Sequence, residues 1–303
     1  MDPLAPIAPA RPGVTPDFYS ISSRQLHLSI ILGVTYTIVT LLMCLRLYTS
    51  IFVVKKLYWD ALFLVSSWAL AGVFFLLIAQ AFPAGFGRHI WDVNYQQLAS
   101  YLDSITPLAI IYMWPLTCVK LSVLILYHQV DPEMVFRFCL CVAVFTVVPT
   151  LVYTGLFIDR CNPLKGDITC VNNIGFAQTG TSIMTDLFII AMPIYMTMRL
   201  NMPTRKKLTV GALLTLSSAC VVFPLIRTAY IQAFVDDPDV TWSQCTMATW
   251  TILEINVGVI CNSLAMLKPF VRHHMPGLAR RLFGGSKNSG ATPATVQTST
   301  AGR

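Results

Sequence analysis

Charged side chains are scarce in this sequence. Asp, Glu, Lys and Arg make up only 12% of its 303 residues, about half the share found in an ordinary soluble domain. Hydrophobic residues account for 55%, and the mean hydropathy is +0.65. This balance excludes a chain built mainly of soluble globular domains. Long polar connections are missing as well: no stretch between apolar runs is long enough to hold a soluble domain. No CxxC pair, HExxH or other ligand spacing points to a metal. No repeat of fixed period recurs, and an odd number of apolar runs argues against a transporter made of two inverted halves.

What is present is hydrocarbon-compatible sequence. Seven runs, near residues 26–49, 59–82, 104–129, 135–158, 175–198, 209–234 and 244–267, each reach the roughly 20 residues at ~1.5 Å rise that cross a bilayer core. Backbone groups inside lipid have no water to bond, so each run is expected to be a helix. The expectation is an all-α membrane protein, a seven-transmembrane helix bundle over residues 26–268. It is flanked by a disordered, Pro-rich segment at 1–25 and a mostly disordered tail at 269–303. The first 25 residues lack the apolar core of a cleavable signal peptide, so the first span is expected to direct its own insertion.

Lys and Arg outside the spans are distributed unevenly. Thirteen lie on the side that holds the first, third and fifth connections and the tail, against five on the other. The positive-inside rule then places the N-terminus outside and the C-terminus in the cytosol. The net charge of +7 collects on the inner surface, where it attracts anionic lipid rather than nucleic acid. Plasma membrane and endomembrane fit this orientation equally.

Cysteines sort by side. Cys44, Cys118, Cys139, Cys141, Cys220 and Cys261 fall within spans, where a thiol packs as a small hydrophobe. Cys161 and Cys170 share one outer connection and are candidates for a disulfide. Cys245, at the outer end of the last span, is an alternative partner for either.

Ionisable residues within the spans carry the most information, because such groups face a bundle interior or an aqueous cavity. Asp186 and Glu254 fall near the midplane of the fifth and seventh spans, Arg227 in the outer third of the sixth, and Lys120 in the inner third of the third. Helical spacing lines Asp186 up with Ser182 and Gln178 or Thr179, and Glu254 with Trp250, Thr251, Gly258 and Cys261. Two readings stay open: the four charges pair within a closed bundle and set its register, or they line a cavity for a ligand, a proton or a reaction. Arg46 is expected to snorkel to the headgroups, and Asp60 and Asp103, near span ends, to be solvated.

The last run, QCTMATWTILEINVGVICNSLAML, contains no lysine to form a retinal Schiff base. A retinal cofactor is therefore not expected. The third run ends in YHQVDPE without an acidic-Arg-aromatic triplet, and the seventh has no NPxxY-like ending.

An ordered set of motifs does resemble a family. GFGRHIWDV (85–93), KLSVLILY (120–127), TDLFIIAMP (185–193), RKKL (205–208), IRTAY (226–230) and DVTWSQCTMATWTILEINVGVIC (239–261) together look like the fungal rhodopsin-like integral membrane proteins, the SAT4 family, which is related to the Pth11-type receptors. The resemblance covers roughly residues 26–272. It singles out Asp60 at the inner end of the second helix, His89, Trp91 and Asp92 of the outer loop, Lys120, Asp186, Pro193, Arg227, Trp242 and Glu254. It implies a polytopic membrane protein associated with a secondary-metabolite pathway, receptor-like or accessory in role. A small hydrophobic ligand or pathway intermediate would occupy the bundle, and a cytosolic protein partner would meet residues 199–208 and the tail. Two alternatives remain: a membrane-embedded enzyme for acid-catalysed cyclisation or isomerisation, and a carrier that exports a metabolite. The outer loop is read either as a lid or as a plug.

Overall fold

The computed structural model describes residues 20–54, 59–130, 132–159, 168–199, 222–229 and 239–265, together with positions 7, 17, 18, 161, 270 and 274. The protein is an all-α bundle of seven helices: α1 (Ser23–Tyr48), α2 (Trp59–Ala81), α3 (Tyr95–Val130), α4 (Pro132–Ile158), α5 (Ile168–Arg199), α6 (described over 222–229) and α7 (Val240–Ala265). Among the described residues, six of these are long and apolar enough to cross a membrane. Residues 200–221, with the RKK cluster, and 230–238 lie outside the described residues, as does the tail beyond position 274, so the expected sixth span at 209–234 is described only over 222–229.

The helices begin where polar capping chemistry allows. Ser22 caps α1: its Oγ accepts from Gln25 N, while the Gln25 side chain accepts from Ser22 N. Asn94 caps α3 in the same reciprocal way with Gln97. That cap sets the start of α3 nine residues before the apolar run read from the sequence. The extra turns are polar on one side but bury Tyr101 in the bundle. Hydropathy alone misses them because only their inner face is apolar.

Burial then separates the faces of helices that are apolar all round. On α1, Leu26, Ile30, Val34, Ile38 and Leu41 are exposed, whereas Leu28, Leu32, Val39 and Met43 are buried. Exposed stripes of that kind are costly in water and neutral in lipid. α3 and α7 form the axis: half of each apolar window is buried, against 22–28% for the other spans. α3 packs against α2, α4, α5 and α7, and α1 lies along α7. Pro107 and Pro115 sit inside α3, where Pro115 offers no N–H to the preceding turn. Ser67 Oγ of α2 donates to the Pro115 carbonyl at 2.9 Å, tying the two helices at that point.

Cys161 and Cys170 are joined by a disulfide across the connection from α4 to α5, with their Cα atoms 5.5 Å apart. Cys245 is instead a free, buried thiol near the start of α7.

At the end where α1 begins, residues 82–93 fold over the bundle; this is called the loop end below. Gly85 and Gly87 have φ of 93° and 81°, a region open to glycine at little cost. Gly87 N donates to Thr241 O, and Phe86 drops into the core at 2% exposure. Gln25 Nε2 donates to Phe86 O at 2.7 Å, and Ser22 Oγ to Gly87 O at 2.5 Å. A Cβ at Gly87 would lie 3.1 Å from both Cys245 Sγ and Gln25 Cγ. Gly87→Ala is therefore expected to destabilise by about 1–2 kcal/mol for the left-handed backbone alone. Gly33→Ala, mid-helix with nothing within 4 Å, is the control that should be neutral or stabilising. Thermal unfolding in detergent compares the two.

Candidate functional site

The stripe read on α5 is a docking face for two cations. Gln178, Thr179, Ser182, Thr185 and Asp186 follow helical spacing, and all five are wholly or partly buried. From α3, Lys120 Nζ reaches Asp186 Oδ1 at 3.0 Å, Ser182 O and Oγ at 3.0 and 2.9 Å, and Thr185 Oγ1 at 2.7 Å. From α6, Arg227 Nη2 donates to Thr179 Oγ1 at 3.0 Å, and its guanidinium carbon lies 5.3 Å from the Tyr112 ring centroid. Tyr112, which the sequence did not single out, completes this pocket for Arg227 together with Gln178.

Glu254 behaves differently. It is 4% exposed, and neither carboxylate oxygen has a hydrogen-bond partner among the described residues. Its strongest attractive electrostatic neighbour is Arg227, followed by Lys120. The four ionisable groups thus form one layer of two basic and two acidic side chains, with Lys120 and Asp186 in direct contact and Glu254 and Arg227 interacting through space.

Cavities adjoin this layer. Towards the loop end, a cavity of about 170 Å³ has apolar walls that include Phe74, Phe86 and Leu108, and Arg227 and Gln178 also line it. On the opposite side, about 80 Å³ is bounded by Lys120, Asp186, Glu254 and aliphatic residues of α3 and α5. Between α3, α4 and α5 lies a smaller chamber of about 40 Å³, rich in hydroxyls such as Thr117, Thr146 and Thr181. It shares Gln178 with the first cavity and Lys120 with the second. Pairing and cavity lining, alternatives in the sequence, coexist here: Lys120 is salt-bridged and still borders open space.

Asp60 and Arg46 correct the expectation of solvated and snorkelling groups. Asp60 is 1% and Arg46 3% exposed, and they form an ion pair at 2.5 Å. Arg46 Nη1 also donates to Asn262 O and Oδ1, Asn262 Nδ2 to Ser122 Oγ, and Ser122 Oγ to Asp60 O. Four helices are locked at that end. The missed signal was the hairpin itself: 14 residues separate Arg46 from Asp60, so antiparallel α1 and α2 bring opposite charges face to face. Asp103 is exposed, as expected.

His89, Trp91 and Asp92 are not brought to the four-charge layer and line none of these cavities. His89 is stacked between Trp91 and Trp242, with centroids at 4.4 and 3.8 Å, and its Nδ1 contacts Asp239. Asp239 also accepts from Ile90 N, and Asp92 accepts from Asp17 N. Arg88 is held by the Phe18 carbonyl. Burial pushes its guanidinium below the usual value, while Asp17 and Asp92 act in the opposite sense. Together these contacts seat the loop, called the plug below for its position only, against the N-terminal segment, α1 and α7.

The fungal rhodopsin domain family matches residues 45–273, a stretch that contains all four charges and the plug. The chain is also similar to the protein described as Receptor GIN3 from Arthrobotrys oligospora, with 25% identity over 121 residues. That similarity takes in 40% of this chain and 29% of the relative, so the chain matches less than a third of that protein's length. No solved structure matches the chain.

Proposed function

The chain belongs to the fungal rhodopsin domain family, and from that premise we propose a receptor-like role in which a small lipophilic molecule binds in the bundle. The observation that carries this reading is the 170 Å³ cavity roofed by Phe86 of the plug and reaching Arg227. Ligand pockets are typically apolar with a few convergent polar groups, and this cavity has that make-up. The relative's description as a receptor points the same way. A ligand there would act on the charge layer and so on the packing of α3, α5, α6 and α7. The loop end would face outward, and the basic connection at 199–208 and the tail would meet a cytosolic partner. The association would be with a secondary-metabolite pathway.

Deletion of the gene followed by metabolite profiling tests the role. A receptor-like role predicts that the whole set of pathway products falls together. Accumulation of one intermediate would replace this reading with an enzyme. Three neighbouring cavities that share Gln178 and Lys120 as lining residues favour a carrier as the second reading, and product retained inside deleted cells would support it. Glu254→Gln separates function from stability. It relieves the desolvation of a buried carboxyl that has no hydrogen bond among the described residues, while weakening a through-space attraction on Arg227. These two opposed effects should leave stability changed by less than about 1 kcal/mol. The substitution should nevertheless alter the product profile, because it removes a carboxyl that, after Tyr112, acts on Arg227 through space. An unchanged profile at equal protein level would argue against a working charge layer.

A further inference from the structure

The chemistry of the ligand follows from the charge count and the donors around the larger cavity. We propose that the cavity beneath the plug takes a compact, neutral lipophile carrying a carbonyl-type hydrogen-bond acceptor, with that acceptor on Arg227. This rests on the ligand-binding reading above.

Size comes first. At about 170 Å³ the cavity is on the scale of the ~150 Å³ apolar cavity that binds benzene in an engineered protein. Its walls present Phe74, Ile78, Phe86, Leu108 and Phe157, so the occupant is mostly hydrocarbon and about one ring across. Polarity comes second. Arg227 is 5% exposed and is a cationic side chain that lines the cavity. Guanidinium groups donate and never accept, so a polar group of the occupant that meets Arg227 must be an acceptor. Charge comes third. Lys120 and Arg227 are matched in number by the Asp186 and Glu254 carboxyls, and Lys120 already pairs with Asp186. An anionic ligand would add a further acid beside these two, and a cation would sit against Arg227. Either would be an uncompensated charge in a low-dielectric site. A ketone, ester, lactone or amide brings the acceptor without the charge.

The test uses the full chain in phosphatidylcholine nanodiscs, with empty discs to subtract partitioning into lipid. Three probes of similar size are titrated: acetophenone, ethylbenzene and benzoate. Acetophenone should bind about tenfold more tightly than ethylbenzene, and benzoate more weakly than acetophenone. Arg227→Met should remove the advantage of acetophenone while leaving ethylbenzene binding as it was. Ala109→Phe, which fills the cavity, should abolish both. Equal affinity for acetophenone and ethylbenzene, or tighter binding of benzoate, overturns the assigned ligand class and leaves the cavity reading standing. Absence of binding by all three, or binding that survives Ala109→Phe, removes the cavity reading and this inference with it. The comparison of probes on the wild-type chain decides the class even where the Arg227 variant fails to fold.

Discussion

Arg46→Met is expected to lower the unfolding temperature in detergent by about 10 °C, from a loss of ~3–5 kcal/mol. Arg46 is almost fully buried and donates to Asp60 Oδ2, Asn262 O and Asn262 Oδ1. Its removal leaves the Asp60 carboxylate without its cation at a site from which water is excluded. The Asn262 carbonyl and side-chain oxygen lose their donor at the same time. The cost comes mainly from the group left behind, which makes the expectation specific: Arg46→Met with Asp60→Leu should recover most of the loss, because an apolar pair replaces the ion pair. A double variant as unstable as the single would show that the hydrogen bonds to α7, not the buried charge, hold this end of the bundle.

Lys120→Met is expected to have a comparable effect on stability, ~3–5 kcal/mol, and in addition to abolish the product profile. The ammonium satisfies Asp186, Ser182 and Thr185 together, so its loss strands the Asp186 carboxylate and takes the donor from Ser182 and Thr185 on the buried face of α5. Lys120→Arg should not rescue it, because a planar fork cannot converge on acceptors arranged around a point charge. Lys120→Met with Asp186→Leu should regain folding, judged by unfolding temperature, while the product profile stays lost. Recovery of both would reduce the pair to a structural clamp. Glu254→Gln, with the opposite expectation for stability, is the internal contrast.

The membrane class, seven helices and the four-charge set could be read directly from residues. Apolar length identifies a span because hydrocarbon imposes it one segment at a time, and an ionisable residue in such a span stands out against its neighbours. The α5 stripe of Gln178, Thr179, Ser182 and Asp186 was legible for the same reason: helical spacing is local. Arg46 and Asp60 were misjudged because each lies near a span end, where sequence cannot distinguish a side chain that reaches water from one sealed by a neighbouring helix. The early start of α3 was hidden because its first turns are apolar on one face only.

What the sequence alone determined is therefore the solvent, the helices and the inventory of buried charge, all properties that a segment carries without reference to its partners. The tertiary structure decided how that inventory was divided. It joined Lys120 to Asp186 and Arg46 to Asp60, left the Glu254 oxygens without a hydrogen bond among the described residues, and made the GFGRHIWDV loop a roof. These outcomes depend on the rotation and depth of one helix against another, which apolar faces of nearly uniform hydrophobicity do not encode. They are set instead by a few directional contacts, such as those of Ser67, Thr179 and Asn262, that can be recognised only once the helices are side by side.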